Sequence, residues 1–293
     1  MLKTETPSTD HTTLDLYPVD QLVATLIDDQ IHAVQAVRAV SAHIAQAVEA
    51  AVPRIAGGGR LVYVGAGTSG RLGLLDSVEL GPTFSWPNGR AVALLAGGPS
   101  AVYLAVEGAE DDSALGAHDI AQTGVTAQDV VILMAASGAT PYVLGAITAA
   151  KAAGALTIGF ANNPDAPVTQ QADIGITLDT GSEVISGSTR LKAGTAQKIA
   201  LNSFYSALMV RLNKVYGNLM VDVKPSNAKL IRRTVALTMR ATRCDELTAR
   251  TALEACGHHV KVAIVMVSKQ LTADAARTLL DTADGNVRTA LKT

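Results

Sequence analysis

The stretch LVYVGAGTSGRLG, residues 61–73, decides the fold. It joins a short apolar, β-prone run to a helix-compatible segment through a turn in which Gly65, Gly67 and Gly70 have G-x-G-x-x-G spacing. Such a turn between a strand and a helix presents backbone N–H groups and a positive helix N-terminus to an anion. The stretch therefore predicts an α/β sheet with a phosphate-binding loop, and it raises the question of which phosphate is bound.

Short apolar runs with strand character recur along the chain after this turn. Helical segments separate most of them, and this alternation is typical of βαβ units and a mostly parallel sheet that is covered on both faces. The sequence thus predicts a doubly wound α/β domain with a five-stranded sheet. Its strands start near residues 60, 91, 129, 155 and 173.

The regions on either side of the sheet have a different character. Residues 1–18 are polar and carry two prolines, which predicts a flexible arm, and the domain itself is predicted over residues 19–221. Its first segment predicts one long helix or two consecutive helices that end at residues 57–59, which are all glycine. Residues 222–293 predict a small all-helical domain, and the ambiguous run VKVAIVMV at 260–267 is interpreted as a helix because its neighbours are helical.

Composition restricts the class of protein. The chain has 293 residues, 48% hydrophobic and 17% charged, which is typical of a globular protein. A net charge of −2 and 3% aromatic residues argue against a nucleic-acid partner. No apolar run reaches the roughly 18 residues of a membrane span, and no secretion signal is recognised, so we expect a soluble, cytoplasmic protein. Cys244 and Cys256 have no further ligands with zinc-site spacing, so no metal site is predicted.

The glycine turn lacks the second feature of a dinucleotide site. A dinucleotide fold places an acidic residue at the end of the next strand to bind the ribose hydroxyls. Here that strand is followed by AGGPS, residues 96–100, which contains no carboxylate. The turn itself contains Thr68 and Ser69, two hydroxyls suited to a compact phosphate. We therefore favour a phosphate monoester over NAD.

Two further segments carry similar chemistry. MAASGATPYV, residues 134–143, follows the third strand and places Ser137 and Thr140 before the next helix. Loops at the carboxyl ends of parallel strands converge, so both hydroxyl loops suit one phosphate, although Ser and Thr also cap helices routinely. EVISGSTRLKAGTAQK, residues 183–198, adds Ser188 and Lys192. Its cations either approach the phosphate or form a solvated basic helix face.

Together these segments resemble the sugar isomerase (SIS) domain family and, within it, the N-acetylmuramic acid 6-phosphate etherases. The resemblance rests on residues 62–84, AVEGAEDD at 105–112, MAASGATPYV, and the block that runs from GSTRLKAGTAQK to VDVKPSNAKL. Leu80 and Gly81 stand where that family usually has Cys-Pro, and Ala139 stands where it usually has Arg. These departures leave open whether substrate preference differs.

The resemblance implies a fold, an activity and a set of residues. It implies the SIS fold, a homodimer, a phosphosugar substrate, no metal or redox cofactor, and cleavage of a D-lactyl ether by elimination followed by water addition. Glu79 and Glu110 match the family's catalytic glutamates, with Glu79 assigned as the acid and Glu110 as the base or water activator, although the reverse assignment stays open. Glu107, Asp111 and Asp112 are near alternatives for Glu110. The residues assigned to the phosphate and sugar are Gly67, Thr68, Ser69, Ser137, Thr140, Ser188 and Lys192.

Two other functions fit the same loops. One is a non-catalytic sugar-phosphate sensor of the glucokinase regulatory protein type, which would need no acid pair and carries two SIS domains. The other is an aldose-ketose isomerase, which does not account for the GSTRLKAGTAQK block. Retention of both glutamates favours the etherase interpretation.

Overall fold

The structure is a computed structural model that describes residues 2–223, 225 and 228–292. The chain divides into two compact units. The first comprises Met1–Ser77 with Gly89–Ser206, and the second comprises Val78–Asn88 with Ala207–Thr293. The domain boundary predicted from the sequence, between residues 221 and 222, stays a prediction.

The first unit is built on a fully parallel five-stranded sheet, as the apolar runs predicted. The strand order is β2-β1-β3-β4-β5, so the chain runs to one side after β1 and then crosses back to the other. Every residue of β1, β3 and β4 is buried, because helices cover both faces of the sheet. The strands are β1 (Leu61–Gly65), β2 (Ala91–Leu95), β3 (Val130–Met134), β4 (Leu156–Ala161) and β5 (Ile174–Thr177).

Among the described residues, eight α-helices precede, connect or follow the strands of this sheet. They are α1 (Val19–Asp29), α2 (Ile31–Ala39), α3 (Ser41–Ala56), α4 (Gly67–Phe84), α5 (Ser113–Gln122), α6 (Pro141–Ala152), α7 (Pro167–Gln171) and α8 (Lys192–Arg211). The expectation of one or two N-terminal helices was wrong, because there are three. The breaks fall at Gln30 and Val40, where the apolar spacing continues without a Gly or Pro to signal an interruption.

The two faces of the sheet pack against different helices. Side chains of Val62 and Val131 contribute to a core shared with α5 and α6. On the opposite face α4 crosses the sheet at Gly73, where an added Cβ would lie 2.9 Å from both the Tyr63 Cβ and the Met134 Cε. The absence of a side chain at Gly73 therefore lets α4 approach the sheet closely. This approach also fixes the distance between the sheet and the loop that precedes α4.

The described part of the second unit is helical apart from a small hairpin. Two-residue strands β6 (Val215–Tyr216) and β7 (Leu219–Met220) pair antiparallel, which the sequence analysis did not anticipate. The helical interpretation of residues 260–267 is confirmed, since they lie in the third helix of this unit. The helices are α9 (Ala228–Thr242), α10 (Glu246–Ala255), α11 (Val260–Lys269), α12 (Ala273–Thr282) and α13 (Val287–Lys292).

Side-chain caps and a small apolar core account for these short helices. The Asp245 carboxylate accepts a hydrogen bond from the Thr248 amide, and the Thr272 hydroxyl accepts one from Ala275, so α10 and α12 each begin at a capping residue. Leu253 and Ile264 are completely buried in the core that the helices share. Among the described helices, none combines the length and apolarity that crossing a bilayer would require.

Candidate functional site

The three glycines of the loop after β1 have separate structural roles. Gly67 has φ +52°, a left-handed conformation that favours glycine, at the start of α4. Gly65 and Gly70 bring strand and helix together, because a Cβ on Gly70 would lie 2.6 Å from the Gly65 oxygen. Because strand and helix approach so closely here, the loop with Thr68 and Ser69 lies directly at the carboxyl end of β1.

The loop after β3 lies beside this one at the topological switch point. Strands β1 and β3 are neighbours, but the connections that leave them run to opposite sides of the sheet. This divergence opens a crevice at the carboxyl ends of the two strands, and open α/β sheets bind ligands in such a crevice. The Ala139 amide donates to the Ser137 hydroxyl at 3.2 Å, and Gly138 has φ +73°. Thr140 precedes α6, and its side chain makes no capping hydrogen bond there. The predicted loops therefore meet at one crevice.

The start of α8 closes on the first loop from another direction. A Cβ added at Gly194 would lie 3.3 Å from the Thr68 Cγ2, so the first turn of α8 contacts the loop after β1. Ser188 lies in the turn before α8 and is partly buried, and its amide donates to the Ile185 carbonyl. The structure thus brings the first and third predicted segments together.

A buried carboxylate that the sequence analysis missed caps α8. Both oxygens of Glu183 accept backbone hydrogen bonds, at 3.0 Å from Lys192 and 2.9 Å from Ala193. Burial raises the pKa of Glu183, and the two amide bonds and the nearby Lys192 only partly offset this. The N-terminal amides of Lys192 and Ala193 are therefore occupied by the protein's own carboxylate.

Lys192 takes part in an internal ion pair. Its ammonium lies 2.7 Å from the Asp29 carboxylate and 2.7 Å from the Ser182 carbonyl, and its side chain is 5% exposed. This pair links α1 to the start of α8. Because the ammonium is bound to Asp29, the role of Lys192 as a direct phosphate ligand stays a prediction.

Asn162, just after β4, connects the loops through its side-chain amide. Its Nδ2 donates to the Leu178 and Ala193 carbonyls, and its Oδ1 accepts from Gln197 of α8 at 2.9 Å. Asn162 is fully buried. The signal in the sequence was a pair of asparagines at a strand end, ANN at 161–163, which the sequence analysis did not single out.

Residues of the predicted N-terminal arm also reach this edge of the sheet. The Thr4 amide donates to the Asn163 side chain at 3.2 Å, and the Asn163 amide donates to the Thr4 hydroxyl at 2.9 Å. Thr4 is completely buried, and a Glu5 carboxylate oxygen lies 3.1 Å from the position of a Cβ added at Gly187. This short part of the arm therefore contacts the loops after β4 and before α8.

Glu110 and the glycine loop line the same cleft. The cleft has a volume of about 220 Å³, and Gly67, Ala96, Glu107 and Glu110 contribute to its walls. Glu110 itself is exposed, so its carboxylate is accessible to a bound molecule. The structure therefore places one predicted catalytic carboxylate next to the predicted phosphate loop.

Local hydrogen bonds fix the segment that carries Glu110. Residues Ala109–Asp111 form a 3-10 turn after Gly108, which has φ +74°, and Asp112 caps α5 by accepting from the Leu115 amide. The Arg71 guanidinium, on α4, donates to the Ala101 carbonyl at 3.0 Å and the Val102 carbonyl at 3.3 Å. Arg71 thus ties the connection after β2 to the helix that follows the glycine loop.

Glu79 lies further along α4, in the part of the helix that belongs to the second unit. Its side chain is exposed, whereas Leu80 beside it is completely buried. Gly81 has open space around the position of a Cβ, and Ala139 is exposed. The pairing of Glu79 with Glu110 stays a prediction.

Comparison with known proteins relates the chain to SIS-domain proteins. The SIS domain model matches residues 112–207, and the model of the glucokinase regulatory protein N-terminal SIS domain matches residues 43–151. The chain is 56% identical to an N-acetylmuramic acid 6-phosphate etherase of Deinococcus radiodurans, over 99% of this chain and 95% of that protein. Etherases of Mycolicibacterium smegmatis and Klebsiella aerogenes are 48% and 47% identical, over 99% and 94% of this chain and 97% and 92% of theirs.

The parallel sheet, the crevice of hydroxyl loops and the family models define a SIS-domain protein. The etherases, however, match this chain at 47–56% identity over nearly its whole length, well beyond the SIS domain alone. The chain belongs to the family of N-acetylmuramic acid 6-phosphate etherases.

Proposed function

We propose that this protein cleaves the D-lactyl ether of N-acetylmuramic acid 6-phosphate, giving N-acetylglucosamine 6-phosphate and D-lactate, as part of cytoplasmic recycling of cell-wall amino sugars. The observation that carries the proposal is the cleft that Gly67 and Glu110 share, beside the switch point of the sheet. It offers a phosphate-binding loop and an accessible carboxylate within one site. The relatives over nearly the full chain are named for this reaction.

The chemistry proceeds through the open-chain aldehyde of the sugar. In that form the C2 proton is acidic because it is alpha to the carbonyl, and Glu110 removes it as the base. The electron pair forms the C2–C3 double bond, the C3–O bond breaks, and Glu79 protonates the departing lactate oxygen. Water then adds at C3 and a proton returns to C2. Two carboxyl groups with opposite protonation states suffice for both halves of the reaction.

Phosphate binding positions the reacting carbons without taking part in the reaction. We assign the phosphate to the hydroxyls and amides of Thr68, Ser69, Ser137 and Thr140, which follow the carboxyl ends of β1 and β3, with Ser188 as a further candidate. The energy of phosphate binding holds C2 and C3 within reach of the carboxylates, so the reacting groups are already oriented before the proton is transferred. The neutral hydroxyls suit a phosphate that stays attached to the sugar throughout.

The test is a direct assay of the reaction. The protein is incubated with N-acetylmuramic acid 6-phosphate, and D-lactate is measured enzymatically. In heavy-oxygen water we expect the label at C3 of the product sugar and none in lactate, because water attacks the sugar after lactate has left. Label in lactate would exclude elimination followed by addition, and absence of D-lactate would refute the proposed activity.

The regulatory alternative has weaker support. The model of the glucokinase regulatory domain matches residues 43–151 only, whereas the etherases match over nearly the full chain. A regulator would bind the sugar phosphate and leave it intact. The same D-lactate assay therefore separates the two functions.

We also propose that the protein acts as a homodimer that uses its N-terminal helices. Five apolar side chains on α1 and α2 recur every three or four residues and are 49–76% exposed: Val19, Val23, Ile27, Ile31 and Val34. An exposed apolar stripe of this length is typical of an interaction surface. A second copy of the chain offers the same stripe to cover it.

Light scattering at micromolar concentration tests the dimer. We expect a mass of two chains for the wild-type protein and a shift toward one chain for Ile27→Asp, because a carboxylate would be desolvated in the interface. Gln46→Asp, at an exposed position of α3, is the matched control and should stay dimeric. A wild-type mass of one chain would refute the proposal.

A further inference from the structure

One threonine of the polar segment before α1 is completely buried. This residue is Thr4, and its neighbours Lys3 and Glu5 are both exposed. The Thr4 amide donates to the Asn163 Oδ1 at 3.2 Å, and the Thr4 hydroxyl accepts from the Asn163 Nδ2 at 2.9 Å. A polar side chain that is buried and fully engaged in an otherwise exposed segment indicates a specific anchor.

The same asparagine also contacts the loop that follows β3. The Asn163 Nδ2 donates to the Ala136 carbonyl at 2.9 Å, and the Asn162 amide donates to that carbonyl at 2.9 Å as well. A carbonyl oxygen has two lone pairs, so these two donors use both of them. Asn163 is 1% exposed. It therefore links Thr4 to the residue that directly precedes Ser137.

The contact with Ala136 determines how the Ser137 amide points. The Ala136 carbonyl and the Ser137 N–H belong to one planar peptide group and point in opposite directions, so fixing the carbonyl fixes the N–H. Among the described residues, no group accepts a hydrogen bond from this N–H. The Ser137 hydroxyl accepts from the Ala139 amide, and its own proton is free to be donated. Oriented donors without a partner in the chain suit a bound anion.

The other contacts of this segment are weaker than those of Thr4. Lys3 pairs with Asp179 at 2.7 Å, but the two side chains are 55% and 41% exposed, and exposed ion pairs contribute little. The Ser182 hydroxyl donates to the Lys3 carbonyl at 3.4 Å, which is long for a hydrogen bond between oxygens. The buried contact between Thr4 and Asn163 is therefore the main anchor of this segment.

We propose that Thr4 and Asn163 are positioning residues for the phosphate, acting through the Ala136 carbonyl on the Ser137 amide. The inference rests on the proposed function, in which Ser137 binds the phosphate of the substrate. Neither positioning residue touches the phosphate itself. They hold the loop in its binding conformation before the substrate arrives, so binding does not have to order it.

The Thr4→Val variant tests this role, because valine keeps the shape of threonine and removes the acceptor for Asn163. We expect KM for D-lactate release to rise about three- to tenfold, the usual effect of one lost hydrogen bond. The kcat should stay within about twofold, because the contact serves binding and not proton transfer. Thr4→Ser keeps the hydroxyl and should restore KM. Asn163→Asp puts an oxygen opposite the Ala136 carbonyl and should raise KM at least as much.

Thr12→Val is the matched control, since it makes the same substitution at an exposed position before α1. It should leave KM and kcat unchanged. Thermal unfolding of each variant measures what the buried contact contributes to stability. If Tm fell in Thr4→Val while KM stayed at the wild-type value, the contact would serve the fold alone and the proposal would be wrong. A loss confined to kcat would contradict it equally.

Binding of inorganic phosphate, measured by isothermal titration calorimetry on the full-length protein, separates this inference from the proposed activity. Thr4→Val should weaken phosphate binding by the same factor as it raises KM, and Thr12→Val should not. This readout does not depend on turnover, so a wild type that binds phosphate but releases no D-lactate would refute the activity alone. A wild type that binds no phosphate, or equal binding by wild type and Thr4→Val, would overturn the positioning role.

Discussion

The Glu110→Gln variant should release D-lactate at a rate lower by a factor of about 10² to 10⁴, which is the usual contribution of a positioned general base or acid. Glutamine keeps the size of the side chain but cannot remove the C2 proton. Because Glu110 is exposed in a cleft and held in a short turn, the substitution should leave the free energy of unfolding almost unchanged. The measurement is kcat for D-lactate release, with KM followed separately.

Glu107 supplies a matched control in the same cleft. It is another exposed glutamate that lines the cavity three residues earlier, so Glu107→Gln makes the same chemical change at nearly the same place. We expect it to retain activity within a few fold. If Glu107→Gln lost activity and Glu110→Gln did not, the base would be Glu107 and the assignment would be wrong.

The Glu79→Gln variant separates the two proposed roles. It should also lower D-lactate release by about 10² or more, because the lactate oxygen would leave without a proton donor. Proton exchange at C2 with deuterated water should continue in Glu79→Gln and stop in Glu110→Gln. The opposite pattern would reverse the acid and base assignments.

The strands of the sheet could be predicted because they are buried on both faces. A strand such as Val130–Met134 has no solvent-facing side, so its sequence is a continuous apolar run between polar turns. The helix breaks at Gln30 and Val40 could not be predicted, because no Gly or Pro marks them. Local sequence patterns report burial well and report small changes of helix direction poorly.

The site was predictable only in part, for a related reason. The loops with Thr68 and Ser137 follow strands directly, so the order of strands and loops placed them at one edge. The Glu183 cap and the Asn162 network depend on contacts between residues distant in the chain, such as Asn162 with Gln197. Glu110 is an exposed carboxylate, and only the family resemblance distinguished it from a solvated surface charge.

The second large effect concerns the packing of α5 against α6. These helices meet through glycines: a Cβ added at Gly145 would lie 1.8 Å from the Ser113 carbonyl oxygen, and one added at Gly116 would lie 1.9 Å from the Tyr142 oxygen. Both obstacles are backbone atoms, which cannot rotate away as a side chain would. Gly145→Val should therefore force the helices apart and lower the free energy of unfolding by about 3 kcal/mol or more.

Thermal unfolding measures this loss, which should lower Tm by roughly 6 °C or more for a protein of this size. Thr148→Val introduces the same side chain at an exposed position of α6, and it should change Tm little. A Gly145→Val protein with the Tm of wild type would mean that α5 and α6 separate at low cost. Because α6 begins directly after Thr140, moving this helix also displaces the loop that carries Ser137. At temperatures where Gly145→Val stays folded, KM should therefore rise, whereas Thr148→Val should leave it unchanged.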